Sequence, residues 1–530
     1  MLNFRKIAAA SKGVLLLRYF TENTPEPIHP APVDALGRTL EGGDRLTAYY
    51  TGRDSRATWR PDAPAIWAEA VGIDPRRMPR DAELTRLFEA RRADNGAAWS
   101  EHRRKLSGFD LVFSPHKSVT LAAEFAPTAA ESAAIWNAID RANDRAMRHV
   151  AAVLGYARMG KGGADGAEPG AVGWVSFRHH TARPTLHVQD GPGGETYLLD
   201  APVAGDPHAH VHNFLPNLVV TASGRVGSLD TQRLTDARVK EFGAYFQAEM
   251  ADELRRLGVS VAYDAGEHAV VLTSVPEPVW RAFSKRDREV LAHAKAYAAA
   301  QGLDWDTLDA EAKMDLVEGA SAAGRLGKTA VKSDERRIWR EQAEELGWEH
   351  RGVLRETAHA GRSDRERIEE AAAYAARHLA VEFHTAAVVV IDKLAMHAAR
   401  GLIGAGIRGG AADIERVVDL LVERGVEVRG ERVRLLVGQF REGVGVTHSA
   451  QVRIEEDLQA RAWAAARDRS AALPADLLGR ALAASPVAFT PQQAAAVRAL
   501  GEGATLTLLT GAAGVGKTTL LAPLVEAWKA

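Results

Sequence analysis

The chain contains no cysteine, which excludes disulfides, zinc–thiolate clusters and a cysteine nucleophile. Aromatic residues are sparse at 6%, with 9 Tyr in all, so tyrosine chemistry has few places to reside. No stretch reaches the roughly 18 uninterrupted apolar residues that a bilayer-spanning helix needs. The N-terminal MLNFRKIAAASKGVLLLRYF is short, is broken by Arg5, Lys6, Lys12 and Arg18, and lacks a clear signal cleavage site. Neither sign of charge dominates, since 67 Lys and Arg face 69 Asp and Glu for a formal charge of −2. That balance excludes a uniformly basic packaging protein and an acidic disordered tail, but not a local basic face. The expectation is a soluble, cytoplasmic protein with no stable membrane insertion.

At 530 residues the chain is long enough for several cores, at about 150 residues per domain. Apolar neighbours at Ile7, Leu15, Leu16 and Tyr19 predict a helix from about Asn3 to Phe20, although Gly13 and the run from Val14 to Leu17 also allow a strand. A Pro- and Gly-containing loop follows. GFDLVFSPHKSVTLAAEF predicts a strand at DLVF, a Ser-Pro turn and a second strand at SVTLAAEF. The Ala-rich stretch from about Ala130 to Leu154 has no internal Pro or Gly and predicts a helix. MGKGGADGAEPGAVG reads as a loop. WVSFRHH, TLHVQD, ETYLLD and HAHVHNFLPNLVVTA read as short strands, and the alternation predicts a sheet with helices crossing one face. A helix from about Arg233 to Leu257, a hairpin at SVAYDA and HAVVLTS, and a second hairpin at EVRGERVRLLV complete the coarse reading.

Histidine is the metal-binding resource that remains. His179, His180, His208, His210 and His212 lie close in sequence, and in HAHVHN three of them alternate with Ala209 and Val211. On a strand, His208, His210 and His212 share one face. Neutral imidazoles suit a borderline divalent ion, and an all-nitrogen set leaves coordination positions for water or substrate oxygen. Tyr49 and Tyr50 are adjacent and Tyr19 sits beside Phe20; a tyrosine oxygen can attack phosphorus if a base or metal favours its anion. Asp110 opens DLVF.

On these residues the chain resembles the conjugative relaxases of the relaxase–helicase (TrwC-like) class, whose members nick plasmid DNA at the transfer origin. The first tyrosine pair of that family matches Tyr19 and Phe20, and the second matches Tyr49 and Tyr50, followed by Trp59. The family's Asp-containing strand and Pro-Lys-Ser turn match Asp110 through Lys117 and Ser118, with His116 in the proline position. Its Phe-x-His-x-Thr-Ser-Arg pattern matches Phe177, His179, Thr181, Ala182 and Arg183. Its Pro-x-x-His-x-His pattern, with a later Asn, matches Pro207, His210, His212 and Asn217, which leaves His208 outside the metal shell. Extra residues between Arg183 and Asp206 keep a registration through His180 or His187 open. SLDTQRL with Lys240 and Tyr245, AFSKR, and WREQAEELG around Trp339 are further family-like stretches.

The resemblance implies an α+β relaxase domain with a central antiparallel sheet and a histidine–hydrophobe–histidine (HUH) metal site over residues 1–350. A mainly helical connecting and helicase-associated region spans 351–484. A divalent metal, Mg2+ or Mn2+ with Zn2+ as the alternative, is expected on His179, His210 and His212. Tyr19 is expected to cleave first, Tyr49 or Tyr50 to act in a second transfer, and Asp110 to accept the tyrosine proton or to orient the first metal histidine. Single-stranded origin DNA, accessory nicking proteins and a type IV secretion coupling protein are the implied partners. Arg53, Arg103, Arg104, Lys105, Lys117, Arg183, Lys285 and Arg286 are the candidate DNA-binding cations. Two other readings stay open: a histidine-site metal hydrolase, and a non-catalytic DNA-binding or assembly remnant.

GAAGVGKT places Gly511, Gly514, Gly516, Lys517 and Thr518 in the full G-x-x-x-x-G-K-T pattern, after the apolar run TLTLLT and before a helical stretch. That strand–loop–helix order cradles nucleotide phosphates on backbone N–H groups, as in ATP-binding proteins. Upstream, FTPQQAAAVRAL resembles the glutamine motif of superfamily-one helicases, with Gln493, or alternatively Gln492, facing adenine. Because 13 residues follow Lys517, the expectation over 485–530 is a truncated P-loop α/β segment that does not hydrolyse ATP efficiently.

Overall fold

The computed structural model describes residues 2–8, 57–60, 62–100, 104–181, 186–189, 196–199, 205–284, 294–296, 298–299, 301–308, 313, 316, 335–354, 362–440, 443–512, 514 and 516–529. The chain forms two compact units, residues 1–382 with 390–424, and residues 383–389 with 425–530.

The first unit is an α+β domain built on a five-stranded antiparallel sheet. Its strands are β1 (Leu2–Ala8), β2 (Ala57–Trp59), β3 (Leu106–Phe113), β4 (Val175–Thr181) and β5 (Pro207–Pro216), in the order β1-β3-β5-β4-β2. Alternation along β5 sorts its side chains. Asn213 points to one face, where its amide exchanges hydrogen bonds with Asn143 at 3.0 and 2.8 Å. Phe214 points to the other, meeting the Phe88 ring edge-on at 4.8 Å between centroids. Gly108 of β3 permits this, because a Cβ there would lie 2.6 Å from the Phe214 ring.

Helices cover both faces of the sheet, not one. On the Asn213 face lie α4 (Ala129–Leu154) and α5 (Asp236–Arg256). Both begin at threonine N-caps, where Thr128 accepts from the Glu131 N–H and Thr235 from the Arg238 N–H. On the Phe214 face, α1 (Ala65–Val71) and α2 (Asp81–Phe88) bury Trp67, Leu84, Leu87 and Phe88 against Val175, Phe177 and Phe214.

Three further segments depart from the sequence reading. Residues 2–8 are a strand and not the start of a helix, because every position from Leu2 to Ala8 pairs with β3, and tertiary pairing overrides local apolar spacing; residues 9–20 lie outside the described residues. SVTLAAEF is not a strand but belongs to helix α3 (Lys117–Glu124), whose N-cap His116 accepts from the Ser118 N–H. The tail of the expected loop at GAEPGA is the strand Ala167–Ala171, whose glycine is demanded by closeness: a Cβ on Gly170 would lie 2.6 Å from the Val220 carbonyl of the adjoining strand.

The hairpin Val261–Asp264 with Ala269–Leu272 forms as read. Past residue 350, helix Ile391–Ala405 packs on α5 and carries the first unit to Arg424. In the second unit, Val426–Val428 pairs with Glu431–Val433, the hairpin expected at EVRGERVRLLV. Helices Ala475–Ala484, Pro491–Gly501 and Lys517–Lys529 meet around Leu478, Val497, Leu520 and Leu524. TLTLLT is not a strand: Thr505 and Leu506 give their N–H groups to the carbonyls of Asp468 and Ala465, and no described strand lies beside them. Among the described residues no helix is long and apolar enough to cross a membrane.

Candidate metal centre

The histidines meet because two neighbouring strands, β4 and β5, present them to one face. His179 of β4 lies directly opposite His210 of β5, and His212 opposite Phe177. Two-residue alternation then leaves His212 diagonal to His179 and, through its pairing with Val112, diagonal to Asp110 of β3. One ring nitrogen from each of His179, His210 and His212 falls within 4.8 Å of the others, and all three residues are buried. Among the described residues this is the one group of three or more His, Asp or Glu so arranged.

Orienting contacts fix which nitrogen is offered. The Asp110 carboxylate lies 2.9 and 3.1 Å from Nδ1 of His212. The backbone carbonyl of His208 lies 2.9 Å from Nδ1 of His210. Each partner accepts a hydrogen bond, so each Nδ1 carries the proton and each Nε2 keeps its lone pair for a ligand. Asp110 thus serves the last of the three histidines and not the first, because the β3–β5 register brings it diagonal to His212. The donor set fits a divalent ion: three imidazole nitrogens converge, two of the rings oriented by partners at Nδ1.

The neighbouring histidines have other work. His180 points to the opposite face, 2.8 Å from Glu124 and packed on Trp136. His208 lies on the metal face of β5, its ring 5.0 Å from that of His210, outside the converging group. His116, in the family's proline position, caps α3 and meets Trp280 edge-on at 4.7 Å; burial pushes its imidazole down to about 4. It is neutral at physiological pH, and the turn survives without proline.

The other expected residues are not all brought together. Tyr19, Tyr49, Tyr50, Arg53, Arg103, Arg183, Lys285 and Arg286 lie outside the described residues. Lys105 is exposed. Arg104 is half-buried, donating to the carbonyls of Asn217 and Gly227 and to Ser228. Lys117 is buried and donates to the Pro207 carbonyl at 2.7 Å, so its charge is turned inward and not toward a surface phosphate. In the second unit, Gly514 and Gly516 take φ of 80° and 86°, and the loop delivers Lys517 and Thr518 as the first residues of the last helix. Lys517 folds back to donate to the Gly511 and Ala512 carbonyls at 2.7 and 2.8 Å. Gln493 closes a capping box with Thr490 and reaches the loop, its Nε2 3.7 Å from where a Cβ on Gly516 would lie.

Sequence reasoning did not find the His208 carbonyl or Trp339 as parts of this neighbourhood. A carbonyl acceptor leaves no trace in composition. Trp339 stood inside a family-like stretch with no partner assigned, and its indole N–H donates to the Gly205 carbonyl at 2.8 Å, just ahead of β5.

A family model described as TrwC relaxase matches residues 18–346, and one described as an AAA domain matches residues 488–530. Similar solved structures include conjugative relaxase TrwC in complex with OriT DNA in a metal-free form, at 22% identity and a TM-score of 0.42. A metal-bound form is 23% identical with a TM-score of 0.43, and a copper-bound form 24% identical with 0.42. Each comparison covers 66% of this chain and 99% of the other. No curated protein matches.

Proposed function

The chain belongs to the TrwC relaxase family, and from that premise we propose that it is a metal-dependent, site- and strand-specific DNA strand transferase acting at a plasmid transfer origin. The observation that carries this reading is the convergence of His179, His210 and His212 within 4.8 Å, inside the stretch that the family model matches. His179, His210 and His212 would hold a divalent ion, which would supply Lewis-acid polarisation of the scissile phosphate. An all-imidazole set favours a borderline ion such as Zn2+ over Mg2+ or Mn2+, which prefer oxygen ligands, and Mn2+ serves as a spectroscopic probe of the site.

The protein's own groups do the rest. Asp110 and the His208 carbonyl hold two imidazoles in the tautomer that presents Nε2. All three rings are buried on one face of the sheet. Tyr19 is the nucleophile: its oxygen bonds to phosphorus, the O3′ of the upstream strand leaves and takes up a proton, and the products are a 5′-phosphotyrosine and a free 3′-hydroxyl. The diester energy is retained, so return attack by the 3′-hydroxyl rejoins the strand without ATP. Tyr49 or Tyr50 carries a second transfer. Single-stranded origin DNA is the substrate, with accessory nicking proteins and a secretion coupling protein as partners, and Lys105 is the one exposed described cation among the candidate DNA contacts.

We assign residues 1–350 to this activity, 351–484 to connection, and 485–530 to nucleotide binding. There Gly511, Gly514, Gly516, Lys517 and Thr518 form the phosphate cradle, and a phosphate would take Lys517 from the loop carbonyls that now hold it.

Incubation of the full chain with single-stranded origin oligonucleotides and Mn2+ should give a covalent protein–DNA adduct, resolved by denaturing electrophoresis and mapped by mass spectrometry. Tyr19→Phe should lose the initial adduct. An intact adduct in that variant overturns the choice of nucleophile, and a cleaved strand with no adduct points instead to a hydrolase.

A further inference from the structure

β5 is held differently at its two ends. From Val211 to Pro216 it is sandwiched, with β3 on one side and β4 on the other as far as Phe214. From Pro207 to His210 it extends past β3, whose pairing stops at Val211, and on the β4 side the register slips between His179 and Thr181. His212 therefore stands in a regular ladder, whereas His210 stands where the ladder gives out.

Side chains take over there. The Lys117 ammonium donates to the Pro207 carbonyl at 2.7 Å, Thr120 Oγ1 accepts from the Ala209 N–H at 3.2 Å, and the Trp339 indole donates to the Gly205 carbonyl at 2.8 Å. Lys117, Thr120 and Trp339 are all buried, where a lost partner costs more than in water. The first two come from α3 and the third from α6 (Glu335–Glu345). α6 is itself tied to α3, because Glu124 accepts from Arg336 at 3.4 Å while its other oxygen lies 2.8 Å from His180.

We infer that Trp339 and Lys117 are positioning residues for His210: they replace the missing strand partner and set the place of one metal ligand. The inference rests on the metal-site reading above and adds that distant α6 controls it. It also gives a function to a lysine that sequence alone assigned to DNA.

The test measures Mn2+ affinity of the full chain by calorimetry or by electron paramagnetic resonance titration, with metal-free thermal melting as the control for folding. Trp339→Phe keeps an aromatic ring, though a smaller one, and removes the N–H; Lys117→Met keeps the stem and removes the charge. Each should bind Mn2+ roughly tenfold more weakly, the low end of the range for lost orienting partners, and Lys117→Arg should restore part of the loss. If Trp339→Phe fails to fold, Lys117→Met and its arginine rescue carry the expectation alone. Parental affinity in folded Trp339→Phe and Lys117→Met, beside a His210→Ala that has lost it, overturns the inference and leaves the metal site standing. Parental affinity in His210→Ala overturns the metal site itself.

Discussion

The histidine centre and the glycine loop are both sequence motifs, but the folded chain treats them differently. The histidines are buried on paired strands, and two of their nitrogens have fixed partners. The glycine loop is largely exposed, its lysine is spent on its own carbonyls, and the apolar run before it leaves Leu508 84% exposed. A motif becomes a preorganised site only when its surroundings fix side-chain direction. The sheet does so for the imidazoles; the small helical core around Leu478 and Leu524 takes in Leu509 but leaves Leu508 outside.

That contrast can be broken by substitution. The largest effect is expected at Phe214, fully buried between Gly108 and Phe88: Phe214→Ala should cost about 3–5 kcal/mol in denaturant unfolding of the first unit. A cost below about 1 kcal/mol would show that the metal face is loosely packed. Next comes Asp110→Ala, which removes the partner of His212 Nδ1 and should weaken Mn2+ binding roughly 10- to 100-fold by calorimetry; unchanged affinity would mean that strand register alone orients the ring. The smallest effect is expected at Leu508→Ser, within about 0.5 kcal/mol in the same unfolding measurement. A large loss there would mean that the segment is more ordered than its exposure indicates.

Much of the sheet could be read in the sequence because one face is chemically unlike the other. In HAHVHN the polar partners of the alternation are histidines, so period and chemistry agreed, and β4 and β5 were legible. The hairpin at Val261–Leu272 and the long helix α4 carried equally plain signals. α3 was hidden by its own burial: every residue from Lys117 to Ala123 is inside, so no polar face betrays a helical period. Strand β1 exists because β3 is there to pair with it, and Ala167–Ala171 because its neighbours tolerate glycine and little else. The orienting role of Asp110 was half visible. Its residue type suggested a partner for a histidine, but choosing His212 over His179 needed the register. Lys117 was misread because charge in a sequence carries no depth.

The strand order β1-β3-β5-β4-β2 also bears on how the protein is made. β5 is the last of the five strands to be synthesised and the only one with both β3 and β4 as neighbours. Without residues 207–216 the pairings of this sheet would reduce to two separate pairs, β1 with β3 and β2 with β4, each with an open edge. Insertion of β5 closes both edges at once and, in the same event, carries His210 and His212 to His179 and Asp110. The three metal-site histidines can therefore converge only once β5 is seated between β3 and β4.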